Sequence, residues 1–166
     1  LDSQLGEGSR FTVTLPWQKQ LETQLTPEEM QTADESSNAT LDAQSPLILL
    51  ADDNEASMKT YADFLKHLGY RVSMAADGLE AVTQAQQEPP ALILMDVQMP
   101  RLDGLEATRR IRRQPQLKHI PIIALTALAM PGDKERCLDA GVNDYLSKPV
   151  SMRQLGKTVE QLLNRN

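Results

Sequence analysis

The sequence predicts an α/β fold, a doubly wound parallel sheet of five βα units with an N-terminal extension. Three observations predict it. From Pro46 onward, short apolar runs alternate with amphipathic stretches. Several of those runs are apolar throughout, as strands covered on both faces are. Before them, residues 18–45 are rich in Gln, Thr, Ser, Glu and Asp and poor in large apolar side chains, so the composition changes at Pro46.

The strand candidates are 47–51, 70–74, 91–95, 120–125 and 143–147. The first helix covers 55–68, with Met58, Ala62, Leu65 and Leu68 at helical spacing and Gly69 as its stop. The second follows Gly78 and carries Ala81, Val82 and Ala85. The third follows Gly104 with Leu105, Thr108 and Ile111, and the fourth runs over about 132–140 to a stop at Gly141. The last, 151–164, has Ser151 at the N-cap and an apolar stripe of Leu155, Val159, Leu162 and Leu163. Right-handed crossovers then place helices on both faces of one parallel sheet.

Three segments result: 1–17, a linker at 18–45, and the main domain at 46–166. The linker holds one lysine, Lys19, against six acids, and so carries most of the chain's net charge of −6. It lacks the apolar surface to offset its ordering entropy, apart from a helical turn expected at 27–33 after Thr26-Pro27. The acidic balance argues against a nucleic-acid partner. The single cysteine, Cys137, excludes an intrachain disulfide, fits a reducing compartment and reads as a core residue. No apolar run approaches the roughly 20 residues that span a bilayer, so no direct membrane contact is expected. The chain starts on Leu1 without a Met, and is expected to be part of something longer.

In a doubly wound sheet the functional crevice lies beyond the carboxyl ends of the strands. The first strand ends on Asp52-Asp53, the third on Asp96 and the fourth on Thr126, while Lys148-Pro149 follows the fifth. The order 2-1-3-4-5 puts these ends together. Each residue alone has an ordinary reading: a helix cap at Asp52-Asp53-Asn54, a turn starter at Asp96, a strand-end Thr126, a solvated Lys148. Together, three carboxylates raise one another's pKa unless a cation intervenes, and Mg²⁺ suits an oxygen-lined site. Asp52, Asp53 and Asp96 supply carboxylates and the Gln98 backbone a carbonyl. A carboxylate, a divalent cation, an ammonium and a hydroxyl are what phosphoryl capture needs. Asp96 is therefore expected to be the phosphoacceptor, with Thr126 and Lys148 binding phosphoryl oxygens.

The stretches LLADDN, LILMDVQMPRLDG, IIALTA and DYLSKPV stand in the order seen in the receiver domains of two-component response regulators, and residues 46–164 resemble that family. The resemblance implies a flavodoxin-like fold. It implies Asp53, Asp96 and the Gln98 carbonyl as direct Mg²⁺ ligands, with Asp52 acting through water. It implies a cis bond at Lys148-Pro149. It also implies a switch, in which Thr126 moves to the phosphoryl group, Tyr145 turns inward, and the surface of the fourth helix, fifth strand and fifth helix changes affinity. Read without the family, Tyr145 is a half-buried strand residue. Gln98 and Leu128, two past the Asp and two past the Thr, would tune water access. The domain would then be cytoplasmic, take its phosphoryl group from a phosphohistidine, pass it to a histidine phosphotransfer protein or to water, and leave a homodimer open.

Residues 1–17, with GEGSRF followed by FTVTLP, resemble the last hairpin of a histidine-kinase ATPase domain, and the order of segments then resembles the end of a hybrid sensor histidine kinase. Neither His67 nor His119 matches a kinase His box, so this chain alone is expected neither to bind ATP nor to act as a kinase. It would phosphorylate itself from a donor and slowly lose the group. Among rivals, an aspartyl phosphatase of the haloacid-dehalogenase type wants its nucleophile in a DxD after the first strand. A flavin carrier wants a Ser/Thr/Gly-rich loop where DDNEA stands, and a receiver used only for binding would not need every acid. The run Arg109-Arg110-Ile111-Arg112-Arg113 reads as a solvated helix face.

Overall fold

The computed structural model describes residues 2–4, 8–10, 45–127 and 133–164, and the chain forms two units, 1–39 and 40–166. In the first unit, strands β1 (Asp2–Gln4) and β2 (Gly8–Arg10) pair antiparallel, with Ser3 opposite Ser9. The FTVTLP strand, the helical turn at 27–33 and Leu128 lie outside the described residues.

In the second unit, β3 (Leu47–Ala51), β4 (Arg71–Ala75), β5 (Leu92–Asp96), β6 (Ile122–Thr126) and β7 (Asp144–Ser147) form one parallel sheet in the order β4-β3-β5-β6-β7. Counted within the domain, that is 2-1-3-4-5, the flavodoxin-like order. Helices α1 (Glu55–His67), α2 (Gly78–Gln87), α3 (Gly104–Arg112), α4 (Asp133–Ala140) and α5 (Met152–Leu163) connect and follow the strands.

Strand side chains alternate between the two faces. Ile48, Leu50, Leu92, Leu94, Ile123 and Leu125 pack with Met58, Leu65, Leu155 and Val159 of α1 and α5. Leu49, Ile93, Met95, Ile122 and Ala124 pack with Val82, Leu105, Ile111 and Cys137 of α2, α3 and α4. The three central strands are buried along their whole length, which is why they read as continuous apolar runs. The edge strands β4 and β7 are partly exposed and carry Arg71, Ser73 and Asp144.

Two local expectations change. Ser151 occupies the N-cap of α5 but makes no side-chain cap bond. The arginine run is not uniformly solvated. Arg112 turns inward and donates to the Gly141 and Ile120 carbonyls and to Asn143 Oδ1, each at 2.8 Å. Asn143 Oδ1 also accepts the Ile122 amide at 2.8 Å, so one guanidinium ties the end of α3 to the entries of β6 and β7. Burial lowers the Arg112 pKa below its ordinary value, yet a guanidinium stays charged.

Candidate functional site

Asp96 is the last residue of the central strand β5, paired in register with Leu125, and Asp52 directly follows β3. Both use one carboxylate oxygen to turn the chain. Asp52 Oδ1 accepts the Asn54 amide at 2.8 Å, and Asp96 Oδ1 accepts the Gln98 amide at 3.1 Å. Asn54, not either aspartate, caps α1 by accepting from Ser57. Asp96 is thus a turn starter as well as a site residue, and its second oxygen decides the matter. Lys148 Nζ donates to Asp96 Oδ2 at 2.7 Å and to Asp52 Oδ2 at 2.8 Å. The Lys148 backbone is in turn fixed by its amide, which donates to the Thr126 carbonyl at 2.8 Å, and Thr126 is itself 3% exposed at the end of β6.

Asp52 is fully buried, Asp53 exposed, and carboxylate oxygens of Asp52, Asp53 and Asp96 lie within 4.8 Å of one another. Burial raises the Asp96 pKa above the usual carboxylate value, against the lowering effect of Lys148 and of the Gln98 amide. Burial acts to lower the Lys148 pKa, but its hydrogen bonds to Asp52 and Asp96 outweigh it and the net shift is upward. The site therefore holds one cation against three acids, with the central acid reluctant to ionise. An oxygen-only donor set with surplus negative charge suits a hard divalent cation. Tyr61 of α1 stands in the same field: burial raises its pKa, and Lys148 opposes the shift.

The comparisons with known proteins agree on one family. Residues 48–160 match the model of the response regulator receiver domain. The chain belongs to the receiver domain family. Its receiver is 40% identical to the polar-differentiation response regulator DivK of Brucella anthropi over 116 residues, which is 70% of this chain and 94% of that protein. The receiver domain of a Pseudomonas aeruginosa sensor histidine kinase, solved with a magnesium ion coordinated in its active site cleft, is 44% identical with a TM-score of 0.68, covering 72% of this chain and 98% of that one. A putative response regulator from Chloroflexus aurantiacus superposes with a TM-score of 0.70 at 33% identity, covering 73% and 99%. Receiver domains bind Mg²⁺ in an acidic pocket and take phosphoryl groups from histidine kinases or phosphotransfer proteins.

In this receiver the structure brings Asp52, Asp53, Asp96, Thr126 and Lys148 to one sheet edge, and the Lys148-Pro149 peptide bond is cis. Gln98 lies in the loop after β5 with an exposed side chain. Tyr145 is 37% exposed on the edge strand β7. Three residues support the site through contacts that the sequence alone does not show. A Cβ on Gly104 would collide with the Asp96 carbonyl, so Gly104 lets α3 start against the end of β5. Asp77 and Arg101 form an ion pair beside the same loop. The cavity of about 670 Å³ lined by Pro46, Ala91, His119 and Pro121 lies at the opposite, amino-terminal ends of the strands and plays no part in this site. Among the described residues, no helix is long and apolar enough to cross a membrane.

Proposed function

We propose that this chain captures a phosphoryl group on Asp96 from a phosphohistidine, and that it does so as a receiver of a hybrid sensor histidine kinase. The observation that carries the reading is the Lys148 ammonium held 2.7 Å from Asp96 and 2.8 Å from Asp52, with Asp53 completing the acidic cluster. An Asp96 oxygen attacks phosphorus and the P–N bond to the donor imidazole breaks with its electron pair staying on nitrogen, so that the ring, protonated at its other nitrogen, leaves as neutral imidazole. The new species is an aspartyl phosphate. Lys148 is already within bonding distance of the attacking carboxylate, so its charge needs little rearrangement to meet a phosphoryl oxygen. Thr126, one position beyond the strand partner of Asp96, offers its hydroxyl to another oxygen.

Asp52, Asp53, Asp96 and the Gln98 carbonyl would hold Mg²⁺, which supplies charge neutralisation at the transferring group. The switch would follow from Thr126 moving to the phosphoryl group while Tyr145, now exposed, turns inward and alters the surface of α4, β7 and α5. The hybrid-kinase context rests on the GEGSRF–FTVTLP sequence before the linker and on the likeness to receiver domains of a Pseudomonas aeruginosa sensor histidine kinase and a Syntrophus aciditrophicus signal transduction histidine kinase. A cytoplasmic location and relay to a histidine phosphotransfer protein belong to the same proposal.

The test is transfer from a purified, ³²P-labelled histidine phosphotransfer domain. The label should move to this chain, outlast the acid-labile phosphohistidine of the donor through a brief acid exposure, and vanish with hydroxylamine, which cleaves an acyl phosphate. Transfer to Asp96→Asn at the wild-type rate would refute the assignment.

A further inference from the structure

Arg101 is the one non-glycine residue among the described residues with its backbone in the left-handed region, at φ 63°. Gly or Asn would hold that conformation with less strain. Its guanidinium reaches from a largely exposed side chain to the carboxylate of Asp77, which is fully buried. Asp77 Oδ1 caps α2, accepting the Leu79 amide at 2.7 Å and the Glu80 amide at 2.9 Å. Its Oδ2 is the oxygen that meets Arg101 in the ion pair. An asparagine would cap the helix as well without burying a charge. Two locally unfavourable choices, an arginine at positive φ and a buried carboxylate, are compatible because each answers the other.

The adjacent residues repeat the connection in the backbone. The Gly78 amide donates to the Leu102 carbonyl at 3.2 Å, and a Cβ on Gly78 would collide with that same oxygen. The loop's other end is fixed where the Val97 amide meets the Leu125 carbonyl at 2.9 Å and the Val97 carbonyl accepts the Gly104 amide at 3.1 Å. Residues 98–100 lie between these anchors: the Gln98 amide donates to Asp96 Oδ1 at 3.1 Å, Met99 is buried in the core, and the Pro100 carbonyl accepts the Leu102 amide at 2.7 Å, while the Gln98 carbonyl is left for a ligand. We propose that the Arg101–Asp77 ion pair is a positioning clamp that holds the loop after β5 against the start of α2 and thereby fixes the Gln98 carbonyl for the divalent cation at Asp52, Asp53 and Asp96. The clamp rests on the cation site proposed above.

Partners that orient metal ligands from outside typically set affinity by about tenfold or more. The experiment is a Mg²⁺ titration followed by backbone amide shifts of Val97 and Gln98 in wild type, Arg101→Gly, Arg101→Lys, Asp77→Asn and the Arg101→Gly/Asp77→Asn pair, with thermal melts alongside. Arg101→Gly removes both the clamp and the strain, so its affinity should fall about tenfold while its melting temperature holds. Asp77→Asn, which keeps the helix cap, should lose a similar factor, the double variant should be no weaker than either single, and Arg101→Lys should recover most of the affinity. Binding by Arg101→Gly within twofold of wild type would overturn the clamp, as would losses that multiply in the double variant. Absence of Mg²⁺ binding by wild type would overturn the cation site and the clamp with it.

Discussion

Gly104→Ala is the perturbation that separates space from backbone strain. Gly104 opens α3, and its backbone is not left-handed, so the cost of a side chain there is steric. An added Cβ would meet the Asp96 carbonyl oxygen, lie 2.8 Å from the Asp96 carbonyl carbon and 2.9 Å from Met95 Cγ. Two of the three obstacles are backbone atoms of the central strand, which cannot swing aside as a side-chain tip can. Overpacking of this kind costs about 1–3 kcal/mol, occasionally more, and a collision with backbone belongs at the upper end. Ala gains back part of that through helix propensity, less than about 1 kcal/mol at a helix's first residue. A net loss of roughly 2–3 kcal/mol corresponds to a fall of about 10 °C in a domain of this size. Differential scanning calorimetry in EDTA reads it directly. Urea unfolding should show a lower midpoint with an unchanged slope. Because the displaced atoms belong to Asp96, the phosphoryl-labelling rate should also drop. A melting temperature within about 1 °C of wild type would refute the close approach and the reasoning built on it.

Arg112→Ala removes three charge-assisted hydrogen bonds and should cost about 3 kcal/mol once partial exposure is discounted, and Arg112→Lys should not recover it, since one ammonium cannot meet three diverging acceptors; urea midpoints check both. Burial raises the Asp96 pKa from 3.8, so folded protein holds that proton more tightly than unfolded protein. The resulting cost is absent below that value and present above the raised one, and in EDTA the stability of wild type relative to Asp96→Asn should fall as pH rises through the window; a difference that grows with pH would contradict it. Lys148→Ala removes the cation that competes with a metal for Asp52 and Asp96. Mg²⁺ should therefore raise the melting temperature of that variant more than that of wild type, although phosphoryl capture is lost.

The sheet was legible because each central strand is buried on both faces and so carries an unbroken apolar run ending on a polar residue. Those ends named the site: Asp52-Asp53, Asp96, Thr126 and Lys148 are all terminal to strands, and the parallel order alone brings them together. What stayed hidden depends on contacts across the fold. Nothing local marks Arg112 as the inward member of a run of four arginines; its partners at Ile120, Gly141 and Asn143 are 8 to 31 residues away. Gly104 reads as a helix start whether or not a strand carbonyl occupies its Cβ position. Arg101 at positive φ and the buried charge of Asp77 are each disfavoured locally, and only the ion pair between them makes sense of either. Ser151 stands at the helix start its type suggests, but the cap bond is not made.

The proposed function stands or falls on Asp96 receiving a phosphoryl group. Intact-protein mass after incubation with Mg²⁺ and a small-molecule phosphodonor, with Asp96→Asn alongside, tests it most directly. A single phosphoryl adduct is expected on wild type, abolished by EDTA and absent from the variant. No adduct under conditions that label another receiver, or an equal adduct on Asp96→Asn, would contradict it.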